Sequence, residues 1–103
     1  MSLSSNLKVI AEEKLVTTAG VRELLKDSRP NEVVVYTVTI KALSTNTGKI
    51  YIGDETVAST NGFPLDPRDS VTLNSEKANI DLSEIYIDSA VDGEGVRLIY
   101  MRE

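Results

Sequence analysis

Val33-Val34-Val35-Tyr36-Thr37-Val38-Thr39-Ile40-Lys41-Ala42-Leu43 decides how this 103-residue chain is read. The run is dense in β-branched residues and carries a tyrosine, side chains that fit a pleated surface. Its even positions from Val34 are Val34, Tyr36, Val38, Ile40 and Ala42, and its odd positions from Thr37 are Thr37, Thr39 and Lys41. Alternation with a period of two marks a strand with one buried face and one wet face. The spacing therefore predicts a strand over 33–43, with every second side chain from 34 to 42 directed inward.

Working outward, Ser44-Thr45-Asn46-Thr47-Gly48 is a cluster of turn residues, and Lys49-Ile50-Tyr51-Ile52-Gly53 reads as a second strand. Five residues separate the two runs, so an antiparallel hairpin is the simplest expected link. Asp54-Glu55-Thr56 reads as a turn into a short piece at Val57-Ala58. Residues 59–69 form the expected main loop, in which Asn61-Gly62 tolerates positive φ and Pro64 and Pro67 remove backbone donors. Strands are expected at 70–73, 85–88 and 96–101, with a loop from Asn74 to Asp81 and a glycine-rich turn at Val91-Asp92-Gly93-Glu94-Gly95. Towards the N-terminus, Leu24 and Leu25 are good helix formers, but Thr17, Thr18 and Gly20 interrupt any long helix. Strands at about 14–18 and 21–26 are the expectation there, and residues 1–6 are expected to be flexible.

Seven or eight short strands with turn signals every 8–12 residues suggest a β-sandwich or a small barrel. The expected fold is thus all-β: a single domain over residues 1–103, built as an antiparallel β-sandwich of jelly-roll-like type. A chain of this length buries roughly 60–65 % of its unfolded surface, which supports a fold with little stability to spare.

Composition narrows the function. The net charge is −5, from 11 basic and 16 acidic residues. Phosphate contacts need a basic face, so neither nucleic acid nor an anionic membrane is an expected partner. Residues 1–50 hold 7 basic and 5 acidic side chains, net +2, and residues 51–103 hold 4 basic and 11 acidic, net −7. This asymmetry fits a solvated acidic surface, or complementary faces that meet between subunits. No run of apolar residues is long enough to span a bilayer, and the first six residues lack the pattern of a signal peptide.

The chain has no cysteine and no histidine. Disulfides, thiolate nucleophiles, Ser-His-Asp triads and nearly all zinc sites are thereby excluded. Carboxylates could still act as a pair, as in glycosidases. The candidates Asp54/Glu55, Asp66/Asp69 and Asp88/Asp92/Glu94 all fall in turns or strand ends, where Asp commonly shapes backbone. Asp92-Gly93-Glu94 beside Asp88 could in principle gather oxygen ligands for calcium, but the order of an EF-hand loop is absent. The expectation is therefore a protein that is not an enzyme, with no catalytic residues, no cofactor and no metal site.

Tyr36, Tyr51, Tyr86 and Tyr100 each lie in an expected strand, where core packing is the plain reading and a sugar-binding platform the alternative. Asn61-Gly62-Phe63-Pro64-Leu65 holds the single phenylalanine of the chain. Phe63 and Leu65 either tuck into the end of the core or, with Pro64, form a hydrophobic anchor at a subunit contact.

The ordered set of these pieces resembles small open reading frames from the structural gene blocks of tailed bacteriophages. It runs through Thr37-Val38-Thr39-Ile40-Lys41-Ala42-Leu43, Asn46-Thr47-Gly48-Lys49-Ile50-Tyr51-Ile52-Gly53, Asn61-Gly62-Phe63-Pro64-Leu65 and Asp69-Ser70-Val71. It continues through Asp81-Leu82-Ser83-Glu84-Ile85-Tyr86-Ile87-Asp88 and closes on Gly93-Glu94-Gly95-Val96, so that it covers about residues 33–100. The family often has a glycine where Pro67-Arg68-Asp69 stands here, which suggests a different turn. The resemblance implies a β-sandwich virion or prophage protein, of head decoration or the head–tail region, assembled in the bacterial host cytoplasm. It carries over no catalytic residue. Small sheets have edges that must be paired or protected, and a symmetric homo-oligomer, a trimer that also contacts other virion proteins, is the expected way to cover them. A carbohydrate- or ligand-binding module of the same shape is the alternative.

Overall fold

A computed structural model of the protein describes residues 8–26, 34–75 and 80–102. The strands are β1 (Lys8–Leu15), β2 (Glu23–Leu24), β3 (Val34–Val35), β4 (Thr37–Ala42), β5 (Ile50–Gly53), β6 (Phe63–Leu65), β7 (Ser70–Asn74), β8 (Ile80–Asp81), β9 (Tyr86–Ser89) and β10 (Gly95–Arg102). A 3-10 turn, Leu82–Glu84, precedes β9, and the Asp81 carboxylate accepts the Ser83 N–H to start it.

Two four-stranded antiparallel sheets pack face to face. The front sheet has the order β1-β10-β4-β7 and the back sheet β2-β9-β5-β6; β3 and β8 form a separate two-stranded piece. Four of the pairs are nested along the chain: β1 with β10, β2 with β9, β4 with β7 and β5 with β6. Alternate pairs fall in opposite sheets. The fold is therefore an all-β sandwich, as the strand spacing predicts.

The expected alternation holds from 37 to 42. Val38, Ile40 and Ala42 are each fully buried, and Thr37, Thr39 and Lys41 face outward. Their neighbours across the sheet continue the inner surface. Val38 pairs with Tyr100 and Leu73, Ile40 with Leu98 and Val71, and Ala42 with Val96. From the back sheet, Ile50, Ile52, Leu65 and Ile87 close onto the same core. Each such side chain contributes about 1.5–3 kcal/mol by leaving water.

Several expectations are corrected. The strand predicted over 33–43 breaks at Tyr36, which is 39 % exposed although its even position predicted burial. There the inward phase shifts by one residue, because Val35 points into the core from β3 before the chain enters β4. The expected hairpin between 33–43 and 49–53 does not form. β4 and β5 lie in opposite sheets, and residues 43–49 arch from one sheet to the other. At the N-terminus, β1 runs from Lys8 to Leu15 rather than from 14 to 18, and the strand expected at 21–26 shrinks to Glu23–Leu24. The long loop over 59–69 contains β6, and β8 occupies the end of the loop expected over 74–81, whereas the turn expected at 54–56 does form, closed by Val57 N–H donating to the Asp54 carbonyl. Residues 1–6, expected to be flexible, lie outside the described residues.

The arch at 43–49 has a specific lock. Asn46, only 7 % exposed, donates from Nδ2 to the Gly95 carbonyl at 2.8 Å and accepts the Gly95 N–H on Oδ1 at 3.3 Å. Its side-chain amide thus imitates one rung of a sheet and satisfies two buried backbone groups where the ladder has ended. Glu94 holds the other side of the arch, accepting the N–H groups of Thr47 and Gly48 and the Thr47 hydroxyl.

Candidate functional site

Among the described residues, exposed apolar side chains gather on two surfaces of the sandwich. The first lies on the outer face of the front sheet. There the register sets Val9 beside Met101 and Thr37, and one rung along sets Ala11 beside Ile99 and Thr39. Val9 is 62 % exposed and Ile99 46 % exposed, with Ala11 exposed and Met101 half-buried. On β4 and β7 the same rungs turn polar, and the Thr39 and Thr72 hydroxyls share a 2.8 Å hydrogen bond. The next rung is charged: Glu13, Arg97 and Lys41 stand in a row. Arg97 sits 3.7 Å from Glu13, which leaves the Lys41 charge without an anion on that rung. Sequence reasoning missed this patch. The available signal was at Leu98-Ile99-Tyr100-Met101, where both alternating sets are apolar, the mark of a strand with two covered faces.

The second surface contains residues expected at a subunit contact. β6 carries Phe63, Pro64 and Leu65, and the structure separates them. Leu65 pairs with Ile50 and is buried in the core. Pro64 faces outward beside Tyr51 and is exposed; lacking a backbone N–H, it suits an edge strand. Phe63 pairs with Ile52 on the inward side, yet it is 55 % exposed because β6 is the last strand of its sheet. The β6 edge lies on the same margin of the sandwich as β7, whose Val71 and Leu73 are only partly covered. Phe63, Val71 and Leu73 leave apolar side chains partly uncovered on this margin, with the Lys49–Asp66 ion pair beyond the end of β6.

The opposite margin is closed by charge. β1 is an eight-residue edge strand, and its inward positions Glu12 and Lys14 reach across to the back sheet. Lys14 Nζ lies 2.7 Å from Glu23, and Lys26 Nζ 3.0 Å from Glu12. Inward-pointing charges of this kind discourage strand addition at an edge. The asymmetry is physical: one margin is hydrated and paired, and the other offers apolar area to a partner.

Of the candidate carboxylates, Asp54, Asp69, Asp88, Asp92 and Glu94 serve backbone N–H groups, and Asp66 pairs with Lys49. Asp88 is 3 % exposed and accepts the N–H groups of Gly20 and Ser89, which pins the 16–22 segment over the back sheet. Asp92 accepts the Ala19 N–H, and Glu94 serves the 43–49 arch. Asp54 caps the turn at Thr56, and Asp69 accepts the Asp66 N–H. Among the described residues, no three Asp or Glu side chains gather as a metal-ligand set.

The tyrosines divide by position. Tyr100 is in the core, Tyr36 is exposed, and Tyr51 and Tyr86 are half-buried. Tyr86 floors a shallow open depression between Gly20–Arg22 on one side and Glu55–Thr56 on the other. It contributes one aromatic ring with an Arg22 and a Glu55 nearby.

Hydrogen bonding sets the acid response. Lys14 and the Thr17 N–H hold Glu23 below its ordinary value of 4.5. Thr56 lowers Asp54, and Ser83 lowers Asp81, each from 3.8. For Glu94, burial pulls upward, but the hydrogen bonds from Gly48 and Thr47 outweigh it and leave it below 4.5. A carboxyl depressed in the folded state adds stability above its unfolded value, and that stability is lost as pH falls through the folded one. The melting temperature is therefore expected to stay level from about pH 7 to 5.5 and to fall below about pH 4.5. Circular dichroism melts across this range check it; a melting temperature that rises from pH 5 to pH 3 would contradict the assignment.

No protein-family model matches this chain, and neither a curated protein nor a solved structure is significantly similar to it.

Proposed function

We propose that this chain is a non-enzymatic structural component of a tailed-phage virion, of head decoration or the head–tail region, which acts by joining copies of itself into a trimer that contacts other virion proteins. The observation that carries the assembly reading is exposed apolar area in two places, at Val9 and Ile99 on the outer face of the front sheet and at Phe63 on the β6 edge, across the sandwich from the margin that ion pairs close. Isolated apolar side chains on a surface need no explanation, but two neighbouring rungs and an uncovered edge are what an interface uses. Oligomerisation also adds the buried area that a core of this size lacks.

The virion setting has separate support. Eight strands in nested pairs, with alternate pairs in opposite sheets, support a jelly-roll reading of the sandwich, and jelly rolls occur in viral capsids and in lectins. This is an analogy of fold, and fold alone does not assign function. The phage resemblance over residues 33–100 tips the choice towards capsids. The carbohydrate-binding alternative rests on the Tyr86 depression, where a single half-buried ring offers a sugar less than a groove with two exposed rings would.

Light scattering on a size-exclusion column tests assembly. A mass three times that of the chain is expected at high micromolar concentration, and a strict monomer there overturns the reading. The setting is tested by the genes on either side, which are expected to encode capsid, portal or tail proteins; flanking metabolic genes count against it.

A further inference from the structure

We infer that Asn61-Gly62 is a self-modification site that the fold both requires and guards: released from its turn, Asn61 loses its side-chain nitrogen to attack by the Gly62 amide, and the isoaspartate that results can no longer rebuild the entry to β6.

The chemistry is intramolecular. The Gly62 backbone nitrogen bonds to Asn61 Cγ, the Cγ–Nδ2 bond breaks, and Nδ2 departs as ammonia with the proton given up by the Gly62 amide. Water then opens the cyclic imide at either carbonyl. One opening leaves aspartate in a normal backbone. The other leaves isoaspartate, whose main chain runs through Cβ and Cγ and is longer by one methylene. The sum is an amide and water giving a carboxylate and ammonium, with nothing oxidised or reduced. Of the six asparagines, only Asn61 precedes a glycine. Glycine leaves the attacking nitrogen unhindered and the backbone free to turn towards the side chain.

The fold needs both halves of this labile pair. A Cβ on residue 62 would stand 2.6 Å from the Tyr51 Cβ and 2.8 Å from the Val57 Cγ2. The Tyr51 Cβ is fixed to the backbone of β5, so any other residue at 62 would push the turn off the strand. Asn61 Oδ1 accepts the Ala58 N–H at 2.7 Å, and Nδ2 donates to the Thr56 carbonyl at 3.2 Å. A side-chain amide supplies an acceptor and a donor together, whereas a carboxylate only accepts. The turn thus selects asparagine followed by glycine for its geometry.

The same bonds restrain the reaction. The Gly62 N–H donates to the Ala58 carbonyl at 2.8 Å, and the Asn61 N–H reaches the same oxygen at 3.2 Å. Before the Gly62 nitrogen can attack, it must leave that carbonyl and the Asn61 side chain must give up both of its partners. Asn61 is exposed, so the turn and not the supply of water limits the rate. A surface turn of this kind opens locally, at less cost than unfolding the sandwich. Once isoaspartate forms, the extra methylene enters beside the position that has no room for a Cβ, immediately before Phe63 pairs with Ile52. The Thr56 carbonyl loses its donor as well.

The test incubates the full chain in mildly alkaline buffer, native and in urea beyond its unfolding midpoint. Intact mass follows the reaction and peptide mapping locates it. A gain of one mass unit at Asn61 is expected, accumulating roughly tenfold or more faster in urea than in the native protein. Equal rates, or a faster native rate, overturn the guarding role of the turn. Modification of another asparagine ahead of Asn61 overturns the site. The isoaspartate form is then purified, returned to native buffer and melted beside wild type and Asn61→Asp, a variant that adds the charge without the methylene. The isoaspartate form is expected to melt lowest, with Asn61→Asp between it and wild type. An isoaspartate form that melts with wild type overturns the structural consequence, and one that melts with Asn61→Asp overturns its assignment to the lengthened backbone.

Discussion

Ile40→Asp is expected to abolish the cooperative thermal transition, while Thr39→Asp, its immediate neighbour, leaves a folded protein. Ile40 has no exposed surface. It sits in β4 between β10 and β7, with Leu98 and Val71 as its partners. An unpaired carboxylate there has no donor to meet it, and burying one costs several kcal/mol against a total stability of roughly 5–15 kcal/mol. Thr39 is directed the other way, towards Ile99 and the Thr72 hydroxyl. Replacing it loses one exposed hydrogen bond, about 1 kcal/mol, or about 4–8 °C in a domain of this size. Circular dichroism melts of the two variants make the comparison. Equal melting temperatures would refute the inward assignment of residue 40, and with it the sandwich.

Gly95→Ala is expected to be as damaging, for a different reason. Gly95 pairs with Leu15 where β10 begins. A Cβ built on it would stand 2.0 Å from the Lys14 carbonyl oxygen and 2.7 Å from the Leu15 Cα. These are backbone atoms of an adjacent strand, so no side-chain rotation relieves the overlap. Nor can Gly95 retreat, because its carbonyl accepts from Asn46 Nδ2 and from the Leu43 N–H. The first strand must separate from the tenth, or the 43–49 arch must come away. Either change reaches the exceptional range of more than about 4–5 kcal/mol for a single substitution. Gly93→Ala provides the contrast. Gly93 has a φ of 79° and open space around its Cα, so its replacement carries backbone strain alone, about 1 kcal/mol. Urea titrations of both variants test the pair. A Gly95→Ala midpoint no lower than that of Gly93→Ala would show that the close approach of β1 is not a constraint.

Which of these features were legible before folding follows from the range of the forces involved. The alternation from Thr37 to Ala42 was readable because it is local: successive side chains on a strand leave on opposite sides, whatever the strand pairs with. The strands at 70–73, 85–88 and 96–101 were found for the same reason, to within a residue or two of their ends. Asp88 at a strand end and Asp92 and Glu94 in a turn fit the expectation that such carboxylates shape backbone, and each accepts a backbone N–H.

The identity of each strand's neighbours was not legible. A five-residue gap between two strands fits a hairpin, but it equally fits an arch between sheets. The choice here falls with Asn46, whose side chain bonds Gly95, 49 positions away. Leu65 and Phe63 have the same chemistry and the same phase in β6, yet one is core and the other exposed. Only the end of the back sheet, set by the order β2-β9-β5-β6, makes that distinction. The apolar rungs likewise join Val9 to Met101 and Ala11 to Ile99, residues 92 and 88 positions apart that the β1–β10 pairing brings together. The amino-acid order alone thus determined an all-β chain, the inward face of its central strand and the absence of histidine and cysteine chemistry. Tertiary structure decided the sheet membership of every strand, the closed and open margins and the two surfaces available to a partner. The physical reason is that period-two patterning specifies a side chain's face through its own backbone, whereas a strand's neighbours and its edges are set by hydrogen bonds and contacts to residues far along the chain.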